Sequence, residues 1–133
     1  MGIASLNKGN NVSKLWITIG LIALLAVGAF AYYRSTPGKY DEFAKCLSAN
    51  GAVMYGAFWC PHCKDQKAAF GKSFQYITYI ECAEPNNPNI QTAACRDAKI
   101  SSYPTWEFAD KAQQSGKLSM EYLAQKTGCA LPE

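Results

Sequence analysis

Ala52-Val53-Met54-Tyr55-Gly56-Ala57-Phe58-Trp59-Cys60-Pro61-His62-Cys63-Lys64 is the stretch on which the fold turns. Its first eight residues are nearly all apolar, as suits a central strand buried on both faces. Pro61 then opens a helix-like segment. Proline is tolerated in a first turn, where its missing N–H would have had no intrahelical partner. A Cys-x-x-Cys pair at this corner sets two thiols one helical turn apart, close enough to join and to exchange. The spacing reads as a redox centre rather than a structural staple. The rival chemistry is half of a zinc site, which needs two more ligands, from His62 or from Cys82 and Cys95. Those two cysteines are 13 positions apart and form no second Cys-x-x-Cys knuckle, so no metal site is expected.

Moving outward, residues 39–49 read as a helix with Tyr40, Phe43, Ala44 and Leu47 on one face. Asn50-Gly51 ends it. Downstream, residues 61–74 read as one helix with Ala68, Ala69 and Phe70 inward and Gly71 as a kink point. Residues 77–82 read as a second strand, 84–88 as a loop, and 89–99 as a helix with Ile90, Ala93, Ala94 and Ala98 on its apolar face. Tyr103-Pro104 opens a third strand over 105–108. Residues 109–116 make a turn, and a short edge strand ends at Leu118. The last helix takes Ser119 as its N-cap, Leu118 against Leu123 as a hydrophobic staple, and Gly128 as its stop. The resulting order is α-β-α-β-α-β-β-α, without internal repeats.

Residues 15–33 are 19 positions without a charge. A helix of that length reaches about 28 Å, close to the hydrocarbon thickness of a bilayer. Trp16 and Tyr32-Tyr33 fit the aromatic belts at its ends. Two rivals stand beside a transmembrane anchor. One is a cleaved signal peptide, with Ala29-Phe30-Ala31 resembling a cleavage site. The other is a buried soluble helix, although no polar stripe marks the run. Residues 1–14 are then a short cytoplasmic tail, 34–39 a linker and 40–133 the folded domain. The Lys/Arg bias is small: Lys8 and Lys14 precede the run, Arg34 and Lys39 follow it. The short basic tail favours the N-terminus inside and the domain on the extracytoplasmic face of an inner or plasma membrane. Of the 13 Lys/Arg, 11 lie beyond residue 33 against 10 Asp/Glu, so no basic patch argues for nucleic acid.

Residues 54–63, Phe70-Gly71-Lys72 and Ser102-Tyr103-Pro104-Thr105-Trp106 together resemble a thioredoxin-fold domain. The likeness is greatest to the thioredoxin-like domain fused to bacterial and plant homologues of vitamin K epoxide reductase (VKOR). It implies an α/β fold, a central mixed sheet flanked by helices, behind the single N-terminal helix. The four-helix VKOR part is not in this sequence. The Cys-Pro-His-Cys tetrapeptide is more similar to the DsbA family of oxidants than to reducing thioredoxins.

Under that resemblance Cys60 is the attacking thiol. It precedes a helix whose unpaired N–H groups and dipole favour a thiolate. Cys63, less exposed, is the resolving thiol. Pro61 and His62 complete the motif, and an imidazole beside the thiolate stabilises the reduced form, which makes the disulfide form oxidising. Pro104 is expected to be cis and to face the pair. Tyr103, Pro104 and the neighbouring Trp59 are the expected substrate contacts, with Tyr103 offering backbone groups to an extended chain. A proline at a strand's first residue is also common without such a role. Many reducing thioredoxins carry a buried acid six residues before the first cysteine. Met54 stands there, which leans toward an oxidant.

Cys46, Cys82, Cys95 and Cys129 remain, and an even count in an exported domain suggests disulfides. Three pairings are possible. Cys82 ends a strand and Cys95 lies on the following helix, which favours Cys82–Cys95 and leaves Cys46–Cys129. Against the second pair, the first and last helices of a thioredoxin fold usually lie on opposite faces of the sheet. Buried free thiols, or a second relay pair, are the alternatives. The expected function is a membrane-anchored disulfide donor to exported proteins with thiols. A VKOR-like or DsbB-like membrane quinone reductase, implied by the resemblance alone, would reoxidise it. No cofactor is expected. A disulfide reductase or isomerase, or a non-catalytic adaptor using the Tyr103-Pro104 groove, are the competing readings.

Overall fold

A computed structural model describes residues 9–133, so the tail expected over 1–14 lies outside the described residues as far as residue 8. The chain divides into two compact units, Met1–Thr36 and Pro37–Glu133. The described part of the first unit is one helix, α1 (Gly9–Ser35). It is longer than the uncharged run because the flanking polar residues keep the helical ladder. Every side chain from residue 15 to 33 is exposed, with Leu25 at 74%. The stretch Asn11–Ser35 is long and apolar enough to cross a membrane, and a signal sequence shares that composition. Thr18 and Ser35 donate their hydroxyls to the carbonyls of Leu15 and Tyr32, both at 2.8 Å, so these polar groups are satisfied within the helix.

The second unit opens with α2 (Asp41–Ala49), whose Phe43, Ala44 and Leu47 are buried. Asp41 and Glu42 occupy its first turn, where carboxylates meet the positive end of the helix dipole. Gly51, at φ 78°, supplies the left-handed residue that turns the chain into β1 (Val53–Gly56). β1 runs parallel to β2 (Thr78–Glu81) and antiparallel to a third sheet strand, residues 105–107, which pairs in turn with residues 113–115. α3 (Pro61–Phe70) makes the crossover from β1 to β2. This β-α-β unit, the antiparallel strand pair and a closing helix over 120–127 form a thioredoxin-like fold.

The core centres on Phe70, whose ring stacks on Phe43 at 6.2 Å and also meets Tyr40, Phe74 and Trp106. Met54, Trp106 and Leu123 are fully buried around it. Burying each such side chain contributes about 1.5–3 kcal/mol.

Four elements differ from the sequence expectation. α3 stops at Phe70, because Gly71 takes φ 56° and the chain continues as a 3-10 helix over Gly71–Tyr76. The loop expected at 84–88 belongs to a two-stranded ribbon, β3 (Ala83–Glu84) against β4 (Asn87–Gln91), with Pro85 and Asn86 as its turn. Its register jumps between Ala83 and Glu84, so Pro88 sits in a bulge, where a strand tolerates a residue without an N–H. The helix expected from 89 therefore begins late, as α4 (Ala93–Asp97). Ile90 lies in β4, half exposed, and the residue that α4 buries is Cys95. Beyond β5 (Thr105–Glu107), the turn expected over 109–116 is shorter. The chain reverses at Lys111, φ 64°, and residues 113–115 form β6 (Gln113–Ser115), which ends before Leu118.

α5 (Met120–Thr127) is capped as its sequence implies: Ser119 Oγ accepts from the Tyr122 N–H at 3.1 Å, and Gly128 is left-handed. α5 packs beside α2 rather than across the sheet from it, with Leu47 and Leu123 wholly buried in the same core layer. Cys46 and Cys129 are bonded there, Cα atoms 5.9 Å apart, and the topological objection to that pair falls. Cys82 and Cys95 form the second disulfide, Cα atoms 5.5 Å apart, within a smaller buried cluster with Tyr55 and Ile100.

Candidate active site

With four cysteines paired, Cys60 and Cys63 are the free thiols. Cys60 is the N-cap of α3, with extended backbone at φ −72° and ψ 121°. Its sulfur accepts from the Cys63 N–H at 3.4 Å, filling one of the orphan donor positions of a helix start. Pro61 at the first helical position leaves no donor wasted. The Cys60 thiol donates to the Tyr103 carbonyl at 3.6 Å, so the loop before β5 lies directly across the sulfur. The Tyr103–Pro104 peptide is cis and Pro104 is buried.

The two thiols differ in setting. Both are buried, Cys60 at 5% exposure and Cys63 at 1%. Burial first, and then the hydrogen bond with Cys60, pushes the Cys63 thiol up to about 12. An apolar wall explains this: Met54 and Ala57 are fully buried beside it, and no acid stands at position 54. His62 is exposed on the first turn and makes no hydrogen bond to either sulfur.

Sequence reasoning missed two parts of the site. The first is Tyr79 with Glu81. Alternation along β2 places both on one face, and the register sets Glu81 opposite Gly56. Tyr79 donates its hydroxyl to Glu81 Oε2 at 2.8 Å. Glu81 Oε1 accepts from the N–H groups of Phe58 at 3.1 Å and Ala83 at 3.0 Å, so the carboxylate is tied to the loop that carries Cys60. Burial, then the bond to Glu81, raises the Tyr79 phenol above its ordinary range. The strand period of residues 77–82 carried this signal, but the strand's register against β1 follows only from the folded pairing.

The second is the β3–β4 ribbon. Its bulge leans over the redox corner: the Trp59 indole N–H donates to the Pro88 carbonyl at 3.2 Å, and Gln91 Nε2 donates to the Tyr103 hydroxyl at 2.8 Å. Trp59 and Tyr103 meet edge to face at 6.0 Å. These residues line a cavity of about 260 Å³ with Cys82, Ala83 and Ile90. The short turn Pro85-Asn86 between two extended stretches was the available hint of a hairpin. The structure thus brings Trp59, Cys60, Cys63, Tyr103 and Pro104 together, and holds Cys46–Cys129 within another part of the core. Among the described residues, no group of three or more His, Cys, Asp or Glu side chains is placed to hold a metal ion.

No protein-family profile matches the chain. Among curated proteins it is similar to "Thiol-disulfide oxidoreductase LTO1" of Arabidopsis thaliana, 43% identical over 94 residues, which is 68% of this chain and 24% of that protein. The chain therefore spans about a quarter of the length of that relative. Among solved structures it is similar to oxidised glutaredoxin 2 from Chlamydomonas reinhardtii, at 22% identity and TM-score 0.38, over 71% of this chain and all of that one.

Proposed function

We propose that this chain is a membrane-anchored thiol–disulfide oxidoreductase that donates the Cys60–Cys63 disulfide to exported proteins. The observation that carries the reading is the pairing of a free, N-capping Cys60 with the Tyr103 carbonyl 3.6 Å across from it. A client chain seated beside Tyr103 would present its sulfur to Cys60. The relative's name, thiol–disulfide oxidoreductase, supports the same class of chemistry.

In the donor direction a client thiolate attacks Cys60 Sγ, and the electron pair of the broken bond leaves on Cys63. A second client thiolate then attacks the client sulfur of the mixed disulfide and releases Cys60 as a thiolate. The client gains a disulfide and this chain gains two electrons. A VKOR-like or DsbB-like quinone reductase in the same membrane would remove them. α1 would serve as the anchor, holding the two proteins in one plane and raising their effective concentration. The helix dipole at Cys60 and the absence of an acid at Met54 both favour the oxidising direction.

The test is the reduction potential of the Cys60/Cys63 couple, measured on the full chain in detergent against defined glutathione buffers. A value more oxidising than glutathione is expected. A strongly reducing value would make the chain a reductase and reverse the electron flow. Labelling of Cys60 in intact cells by a membrane-impermeant maleimide tests the extracytoplasmic placement.

A further inference from the structure

Cys63 must shed and regain a proton during exchange, yet its surroundings are apolar and Met54 occupies the place where an acid would help. Polar chemistry reaches the same space from the neighbouring strand. A Cβ added at Gly56 would lie 2.9 Å from Cys63 Sγ, 3.0 Å from the Tyr79 ring and 3.2 Å from the Tyr79 hydroxyl. The thiol and the phenol therefore share one small space over Gly56, which the missing side chain leaves open. The Tyr79 ring is pinned there by Lys67, whose Nζ lies 3.7 Å from the ring centroid, and by Phe74 at 5.7 Å. Behind the phenol, the Glu81 carboxylate is fixed by two backbone N–H groups on one oxygen and offers the other to Tyr79.

We propose that Tyr79 and Glu81 form the proton relay of the resolving thiol, in place of an acid at position 54. The inference rests on the thiol–disulfide exchange reading and names its acid–base partners. When a mixed disulfide on Cys60 is resolved, the Cys63 S–H proton passes to the Tyr79 oxygen as the Tyr79 proton passes to Glu81 Oε2. The freed electron pair on Cys63 forms the Cys60–Cys63 bond, the bond from Cys60 to the client sulfur breaks, and the client leaves as a thiolate. In the donor direction Cys63 is the leaving group and the proton returns along the same path. No reactant beyond the mixed disulfide is required. The phenol's place in the open space over Gly56, which Cys63 Sγ also borders, distinguishes a relay from a carboxylate that merely braces the Phe58 loop.

Stopped-flow reaction of the reduced full-length chain, in detergent, with dithiobis(nitrobenzoate) separates the steps. Attack by Cys60 releases one coloured thiolate in a phase that rises with reagent concentration. Attack by Cys63 releases a second in an intramolecular phase that does not. Tyr79→Phe keeps the ring and the Glu81–backbone bonds; at about pH 7 it is expected to slow the second phase at least about 10-fold and leave the first within about 2-fold. Glu81→Gln should do the same. Between about pH 6 and 8 the second phase should depend only weakly on pH in the unaltered protein, because the relay takes the proton as the bond forms. In either variant it should climb about tenfold per pH unit, since only thiolate already formed can attack. An unchanged second phase in Tyr79→Phe overturns the relay, as does equal slowing of both phases with an unaltered pH profile. If Glu81→Gln does not fold, Tyr79→Phe decides alone. Failure of the unaltered chain to release a second thiolate would remove the exchange reading itself.

Discussion

Gln66 clasps Leu118 with both ends of its amide: its Nε2 donates to the Leu118 carbonyl at 3.1 Å, and the Leu118 N–H donates to its Oε1 at 2.7 Å. Gln66 is wholly buried on α3, one turn beyond Cys63, so this pair of bonds ties the redox helix to the segment entering α5. Replacing it by leucine keeps the bulk and strands two backbone groups. Gln66→Leu should destabilise the protein by about 2–3 kcal/mol. Urea unfolding followed by tryptophan fluorescence, with disulfides intact, measures it; a loss below about 0.5 kcal/mol would mean that water replaces the amide.

Cys63 should resist alkylation while Cys60 reacts. Its thiol is held up to about 12 by burial and the Cys60 hydrogen bond, so the nucleophilic thiolate is scarce at neutral pH. Iodoacetamide at about pH 7, with mass mapping, should label Cys60 first, and Cys63 labelling should accelerate steadily into the alkaline range. The stability consequence has a definite sign. A raised folded-state value favours the protonated native form, fully so below the unfolded value of 9.0, and the advantage is lost as pH rises toward about 12. The reduced protein should therefore lose stability above about pH 9 relative to the oxidised one, which has no thiol there.

The two structural disulfides should be worth unequal amounts. Cys46–Cys129 spans 83 positions and Cys82–Cys95 spans 13. Loop-closure entropy assigns about 4.5 kcal/mol to the first and about 3 kcal/mol to the second. Double alanine variants of each pair, compared by denaturant titration, should show that order. A larger loss from the Cys82/Cys95 variant would point to packing around Tyr55 and Ile100 rather than chain entropy.

Glu107 gives an acid-side prediction. Hydrogen bonds from Gln113, at 3.0 Å, and Lys111, at 3.0 Å, hold its carboxyl below the usual range, the Gln113 bond being the larger cause. A depressed folded value contributes stability that is complete above the unfolded value of 4.5 and lost as pH falls through the folded one. Glu107→Gln should therefore lower the urea midpoint at about pH 6, and the gap to the unaltered protein should shrink by about pH 3.5. A gap independent of pH would assign the effect to packing.

The redox corner was legible because its signals are local. An apolar run, a proline at the first helical position and two cysteines one turn apart lie within a dozen residues, and together they point to one strand-to-helix corner. The cap at Ser119 and the stop at Gly128 are equally local. What escaped depends on register and on partners far along the chain. Gly56 meets Glu81 only through the β1–β2 pairing. Residues 84–88 read as a loop and 89–99 as a helix, whereas 83–91 pair as a ribbon whose bulge at Pro88 has no sequence signature. The side-by-side placement of α2 and α5 follows from a shared core layer, which helical periodicity in either segment alone does not reveal.

The Cys46–Cys129 bond also gives this unit a mechanical character. All four strands of the main sheet, α3 and both redox cysteines lie between the two bonded residues. A pull applied at Pro37 and through the chain beyond Cys129 therefore runs along a covalent bond and bypasses the sheet. Only the short arms outside the ring can extend under load. In a force-spectroscopy trace the oxidised unit should lengthen by those arms alone, and the strands should unravel only after this disulfide is cut.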